Sequence, residues 1–131
     1  MATKDGQETD QKDPLDGIRQ LLNSQLVAVL STHNQGQPYG TLVGFSVSPN
    51  LKSLFFATAR STRKFENILA DDRVALTFDD RTHAASDFYK AVALTACGRA
   101  SETSKSRNSP NLKRFLVKHP HLEAFVLSPN C

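Results

Sequence analysis

"SLFFATARSTRKFENILADDRVAL", residues 53–76, decides how this chain folds. It opens on an apolar, β-favouring run, Leu54-Phe55-Phe56, that closes at Ala57 and Thr58. Small, hydroxylated and cationic residues follow, and apolar positions then return at helical spacing at Phe65, Ile68 and Leu69. From Arg73 to Leu76 the pattern is again that of a strand. The stretch therefore reads as strand, turn, helix over 62–70, strand. Ser61 is the predicted N-cap, which places Thr62, Arg63 and Lys64 in the first turn. Cations are disfavoured there, because a helix N-terminus already carries partial positive charge.

Two readings account for them. A helix N-terminus offers unpaired N–H groups, and with the hydroxyls of Thr58, Ser61 and Thr62 and the charges of Arg63 and Lys64 it suits a phosphate monoester. Alternatively, Arg63 and Lys64 extend into solvent and make weak ion pairs, for example Lys64 with Glu66 or Asp71. The residues alone leave both open.

Outward from this stretch, β-rich runs dominate. Towards the N-terminus lie "LVAVLST" (26–32), the turn "HNQGQP" (33–38), "YGTLVGFSVS" (39–48) and the turn "PNLK" (49–52). Towards the C-terminus lie "RVALTFDD" (73–80), a loop "RTHAASD" (81–87) and a long run "FYKAVALTACGRASET" (88–103). "PLDGIRQLLNSQ" (14–25) has helical spacing, and "LKRFLVKHPHLEAF" (112–125) predicts a helix interrupted or ended at Pro120. Short antiparallel strands joined by hairpins, with one helix inserted, predict a mainly β (α+β) fold, a small barrel or sandwich. Residues 1–12 are polar and free of a long apolar run, and are expected to form a disordered arm ahead of a single domain spanning 13–131.

The 131 residues carry 16 Lys and Arg against 13 Asp and Glu, a net charge of +3. That modest excess, without a basic stripe interleaved with aromatics, gives no argument for a nucleic-acid partner. No apolar run is long enough to span a bilayer, so no membrane partner is expected. Cys97 and Cys131 lack metal-type spacing and fit a reducing, cytoplasmic setting, with Cys97 read as buried packing. His33, His83, His119 and His121 have no partner in the pattern that nucleophilic or acid–base chemistry needs, and are read as solvated. No catalytic residue is assigned.

Three segments taken in order, "VAVLSTHNQGQPYGTLVGF", "SLFFATARSTRKFENILADDRVAL" and "AVALTACGRAS", resemble the FMN-binding split-barrel family of pyridoxamine 5′-phosphate oxidase. The resemblance covers about Leu26 to Ala100. It implies an antiparallel Greek-key split β-barrel with a few flanking helices, a homodimer, and FMN bound in a groove between subunits. Thr62, Arg63 and Lys64 match the family's phosphate motif, with Thr58 and Ser61 beside it. The segment from Thr41 through Leu42, Val43 and Gly44 to Ser46 matches the strand that lies along the isoalloxazine ring. Gly40 and Gly44 suit close approach of a flat ligand, or equally a bulge that bends the strand.

The chain also departs from the true oxidase. It has no Trp, it brings no Arg or Lys over Thr41–Val47, and the family's last strand is not found before Cys131. Pyridoxamine phosphate oxidation is therefore not expected. Members of similar scaffold bind haem or the deazaflavin F420, so these are the alternative cofactors. The resemblance implies a flavin-dependent oxidoreductase acting on a small-molecule substrate or electron donor. A non-catalytic flavin- or haem-binding module is the alternative.

Overall fold

The computed structural model describes residues 13–80 and 91–131. The expected arm over 1–12, and the 81–87 loop with His83, lie outside them. Helix α1 (Pro14–Ser24) begins where the sequence predicts. The Asp13 carboxylate accepts the Leu15 N–H at 3.0 Å, and Pro14 takes the first helical position, where no N–H is required. Strands β1 (Val27–Asn34) and β2 (Gln37–Val47) form a hairpin. Its two turn residues, Gln35 (φ 50°) and Gly36 (φ 82°), both have positive φ, the turn whose twist suits a two-residue hairpin. Then follow β3 (Leu54–Phe56), α2 (Arg63–Ala70), β4 (Arg73–Asp79) and β5 (Ala93–Arg99). Helix α3 (Pro110–Lys118), a 3₁₀ turn (Pro120–Leu122) and a short α4 (Glu123–Val126) complete the order.

The five described strands form one antiparallel sheet in the order β3-β2-β1-β4-β5. Three strands run as a meander, and the fourth returns through the α2 connection to lie beside the first, a Greek key. This half-barrel with flanking helices is the split-barrel α+β fold expected from the sequence. Strand alternation sorts the side chains. Ala28, Leu30, Val43, Phe45, Leu76 and Phe78 face inward and are buried with Leu21 and Leu22 of α1 and Ile68 of α2. Phe45 and Phe78 meet edge to face at 4.7 Å, and each such buried side chain contributes about 1.5–3 kcal/mol.

Among the described residues, the opposite face has no such cover. Val27 (54% exposed), Val29 (38%) and Leu42 (70%) open to the surface, and the register Leu42–Val29–Thr77–Thr95 runs an uncharged row across four strands.

Three expectations are corrected. Cys97 is exposed, because it alternates onto this outer face opposite Ala75, whereas its apolar neighbours had suggested a strand buried on both sides. Strand β5 is shorter than 88–103; residues 88–90 fall outside those described, and the ladder ends at Arg99, just before Ala100 N bonds the Asp72 carbonyl. The C-terminal helix starts at Pro110 rather than 112, capped by Ser109, and stops at Lys118 as the chain approaches Pro120.

Candidate functional site

Helix α2 is built as the opening stretch requires, with the cap one residue later than expected. Thr62, not Ser61, is the N-cap: its backbone is extended, and its Oγ1 accepts the Phe65 N–H at 3.4 Å. Two adjacent hydroxylated residues gave the sequence no means of choosing. Thr62 is held by a second device, its hydroxyl lying 2.9 Å from Thr58 Oγ1 and 2.8 Å from the Ala59 carbonyl. Ser61 is exposed. Arg63 and Lys64 therefore occupy the first two helical positions, where the backbone N–H groups have no intrahelical acceptor.

Neither cation has a carboxylate within ion-pair distance among the described residues, so the Lys64 pairs with Glu66 or Asp71 offered by the solvated alternative do not form. The Arg63 guanidinium instead lies 5.2 Å above the Tyr39 ring of β2. Arg60, by contrast, is committed elsewhere. Its side chain pairs with Glu102 and lies 5.8 Å from the Phe65 ring, while its N–H reaches the Asn130 carbonyl at 2.8 Å. Deeper along α2, the buried Asn67 amide donates to Thr32 Oγ1 at 3.0 Å and pins the helix to β1. Tyr39 and Asn67 were missed from the sequence. Asn67 lies one turn beyond Arg63 on the same helical face, which was the available signal.

The expected ring-binding segment on β2 splits between two faces. Val43 is buried in the core, and Thr41 points the same way, its Oγ1 buried without a hydrogen-bond partner among the described residues. Leu42 is open on the outer face, with Gly40 beside it. At Gly44 the space where a side chain would stand is occupied: a Cβ there would lie 3.3 Å from His119 Cε1 and 3.5 Å from Leu122 Cδ1. Between the free edges of β3 and β5 the half-barrel leaves a cavity of about 640 Å³, with Phe56, Leu76, Ala96 and Phe115 in its lining and Thr58 and Arg60 at the same wall. That volume is within the range of small-molecule pockets.

The histidines behave differently from expectation. His119 is only 2% exposed, and its Nε2–H donates to the Phe45 carbonyl at 2.7 Å, just beyond the end of the β1–β2 ladder. From the sequence it reads as solvated, and no sequence signal announces a partner 74 residues away. His33 lies in β1, not in the turn, with Nε2 3.0 Å from Asp71 Oδ2. The Arg73 guanidinium, then its backbone N–H and the His33 ring hold the Asp71 carboxyl well below the usual carboxylate range.

Lys118 lies 3.9 Å from the centre of the Phe45 ring and donates to the Leu22 carbonyl at 2.9 Å; burial lowers its pKa to about 8. The described residues contain no cluster of metal-binding side chains and no helix long and apolar enough to cross a membrane.

The backbone resembles several solved structures. A haem-binding protein from Mycobacterium smegmatis superimposes with a TM-score of 0.78 at 12% identity over 92% of this chain, which spans only 49% of that protein. HutZ, the haem storage protein from Vibrio cholerae, gives 0.69 at 15% identity over 88% of this chain and 82% of its own. An FAD-binding protein from Mesorhizobium loti gives 0.65 at 18% identity over 89% and 80%. No curated protein sequence matches the chain. Identities this low establish a shared fold and nothing finer. The sequence profile of the pyridoxamine 5′-phosphate oxidase family, however, matches residues 15–119, from α1 through the whole sheet to His119. The chain belongs to that family.

Proposed function

We propose that this chain is an FMN-binding protein that works as a flavin-dependent oxidoreductase on a small molecule. The observation that carries the reading is the N-terminus of α2, where two cations with no carboxylate partner among the described residues stand at the first two helical positions. A bound phosphate monoester would turn that repulsion into attraction. The residues fit the group: Arg63 and Lys64 with their backbone N–H groups would hold the phosphate, with Thr58, Ser61 and Thr62 around it. On β2, Leu42 on the open outer face would meet the ring system. The isoalloxazine supplies hydride and electron transfer when bound, so the absence of an assigned acid or base is no obstacle.

The outer sheet face supports a homodimer. Val27, Val29 and Leu42 expose more apolar surface in one continuous patch than scattered surface residues do, and a second copy would cover it. Haem-binding neighbours raise haem as an alternative, and its propionate carboxylates would also pair with Arg63 and Lys64. The absorption spectrum of the purified protein, followed by titration with FMN, tests the reading. Flavin bands, or saturable FMN uptake with bleaching by a reduced nicotinamide, are expected. A Soret band, or neither uptake nor bleaching, would overturn it.

A further inference from the structure

A second group of unmatched cations lies away from α2, where α1 meets α3. Arg19 and Asn23 are four residues apart on α1, and Arg114 and Lys118 are four apart on α3, so each pair shares one helical face. These faces meet. Lys118 Nζ bonds the Leu22 carbonyl of α1, and Arg19, Asn23 and Arg114 line one cleft with Ser48 and Pro49 of the turn after β2. Its volume is about 260 Å³, just below the range of drug-sized pockets.

Charge at this seam is one-sided. Elsewhere the chain matches Arg60 with Glu102, Arg73 with Asp71 and Arg99 with Asp72. Among the described residues no carboxylate lies within ion-pair distance of Arg19, Arg114 or Lys118, and α3 itself carries Lys113, Arg114 and Lys118 with no acid. Like charges four apart on a helix repel. The guanidinium groups also retain donors. Arg19 donates to the Pro49 carbonyl at 2.5 Å and Arg114 to Asn111 Oδ1 at 3.1 Å, and each leaves most of its five N–H bonds unused.

We propose that the α1–α3 seam is a second anion site, one that takes the phosphate group of a small phosphorylated molecule. Two arginine forks and the Asn23 amide supply the planar, multidentate donors that recognise phosphate, and the cleft admits little more than the phosphate and a few attached atoms. The site shares no residue with the α2 N-terminus, so it does not depend on the flavin reading.

The test uses the full chain carrying R63A and K64A, which removes the α2 cations, titrated with inorganic phosphate and with pyrophosphate by calorimetry. Saturable binding is expected in this background, weakened at least roughly ten-fold when R19Q and R114Q are added. Those two changes relieve repulsion, so the protein is expected to stay folded; should the combined variant not fold, R114Q alone carries the same comparison. No saturable binding in the R63A, K64A background, or equal binding with and without R19Q and R114Q, overturns the proposal.

Discussion

Replacing Arg63 with Ala separates a ligand-binding cation from a structural one. In the unliganded protein two effects oppose each other. The guanidinium lies 5.2 Å from the Tyr39 ring, an exposed contact worth about 0.5–1 kcal/mol. It also stands at the first helical position, where a positive charge costs about 0.3–1 kcal/mol. Their difference leaves the stability of the apo protein within about 0.5 kcal/mol of wild type, measured by urea unfolding. Binding of FMN has no such cancellation. A charge-assisted hydrogen bond to phosphate is worth about 1.5–3 kcal/mol, so the Kd should rise roughly 10- to 150-fold, read by quenching of flavin fluorescence. The rise should shrink in high salt, because part of it is screened. A Kd within about threefold of wild type, or apo destabilisation above about 1 kcal/mol, would refute the reasoning and make Arg63 a clamp on Tyr39 instead.

Other consequences are as open to measurement. His119→Phe keeps a ring against Phe115 but removes the donor to the Phe45 carbonyl, and should cost about 1–3 kcal/mol in urea unfolding. Because Asp71 titrates below its ordinary value of 3.8 in the folded chain, its contribution is complete above that pH and is lost as the pH falls further. An Asp71→Asn variant should show a flatter acid limb than wild type in pH-dependent melting. Lys118 gives a slope of the same sign in a higher window: its folded pKa of about 8 lies below the ordinary 10.5, so its term makes the fold more stable as pH rises between those values, and Lys118→Met should remove that slope. Leu42→Lys with Val29→Lys places charge in the middle of the outer face; wild type should sediment as a dimer at micromolar concentration and the variant as a monomer, with unchanged circular dichroism.

Much of the fold was legible because the relevant signals are local. The hairpin announces itself in Asn34-Gln35-Gly36, α1 in Asp13-Pro14, and α2 in hydroxylated residues ahead of a helical apolar pattern. What escaped depends on contacts between distant residues. Cys97 reads as core until the pairing with Ala75 shows which face of β5 it takes, since a one-residue change of register would turn it inward. His119 reads as solvated until β2 brings a carbonyl to it. At the candidate site, Arg63 and Lys64 were visible as charges in the wrong place, whereas the Tyr39 ring beneath Arg63 and the unpartnered Thr41 hydroxyl arise from how β2 crosses α2.

The strand lengths have a consequence for local opening. Residues Val29–Ser31 of β1 are paired on both sides, to β2 and to β4, and their amides should exchange with solvent only through global unfolding. Strand β3 has three residues and a partner on one side only, and α2 is an eight-residue helix; the loop carrying Thr58 and Ser61 hangs between these two. Asn67 and Ile68 hold α2 to the sheet, so it is this loop that is expected to open at lower free-energy cost than β1. A ligand that binds there would first slow the exchange of the amides around Phe56–Phe65 while leaving those of β1 as they were, so exchange protection should report occupancy at ligand concentrations too low to move the melting temperature.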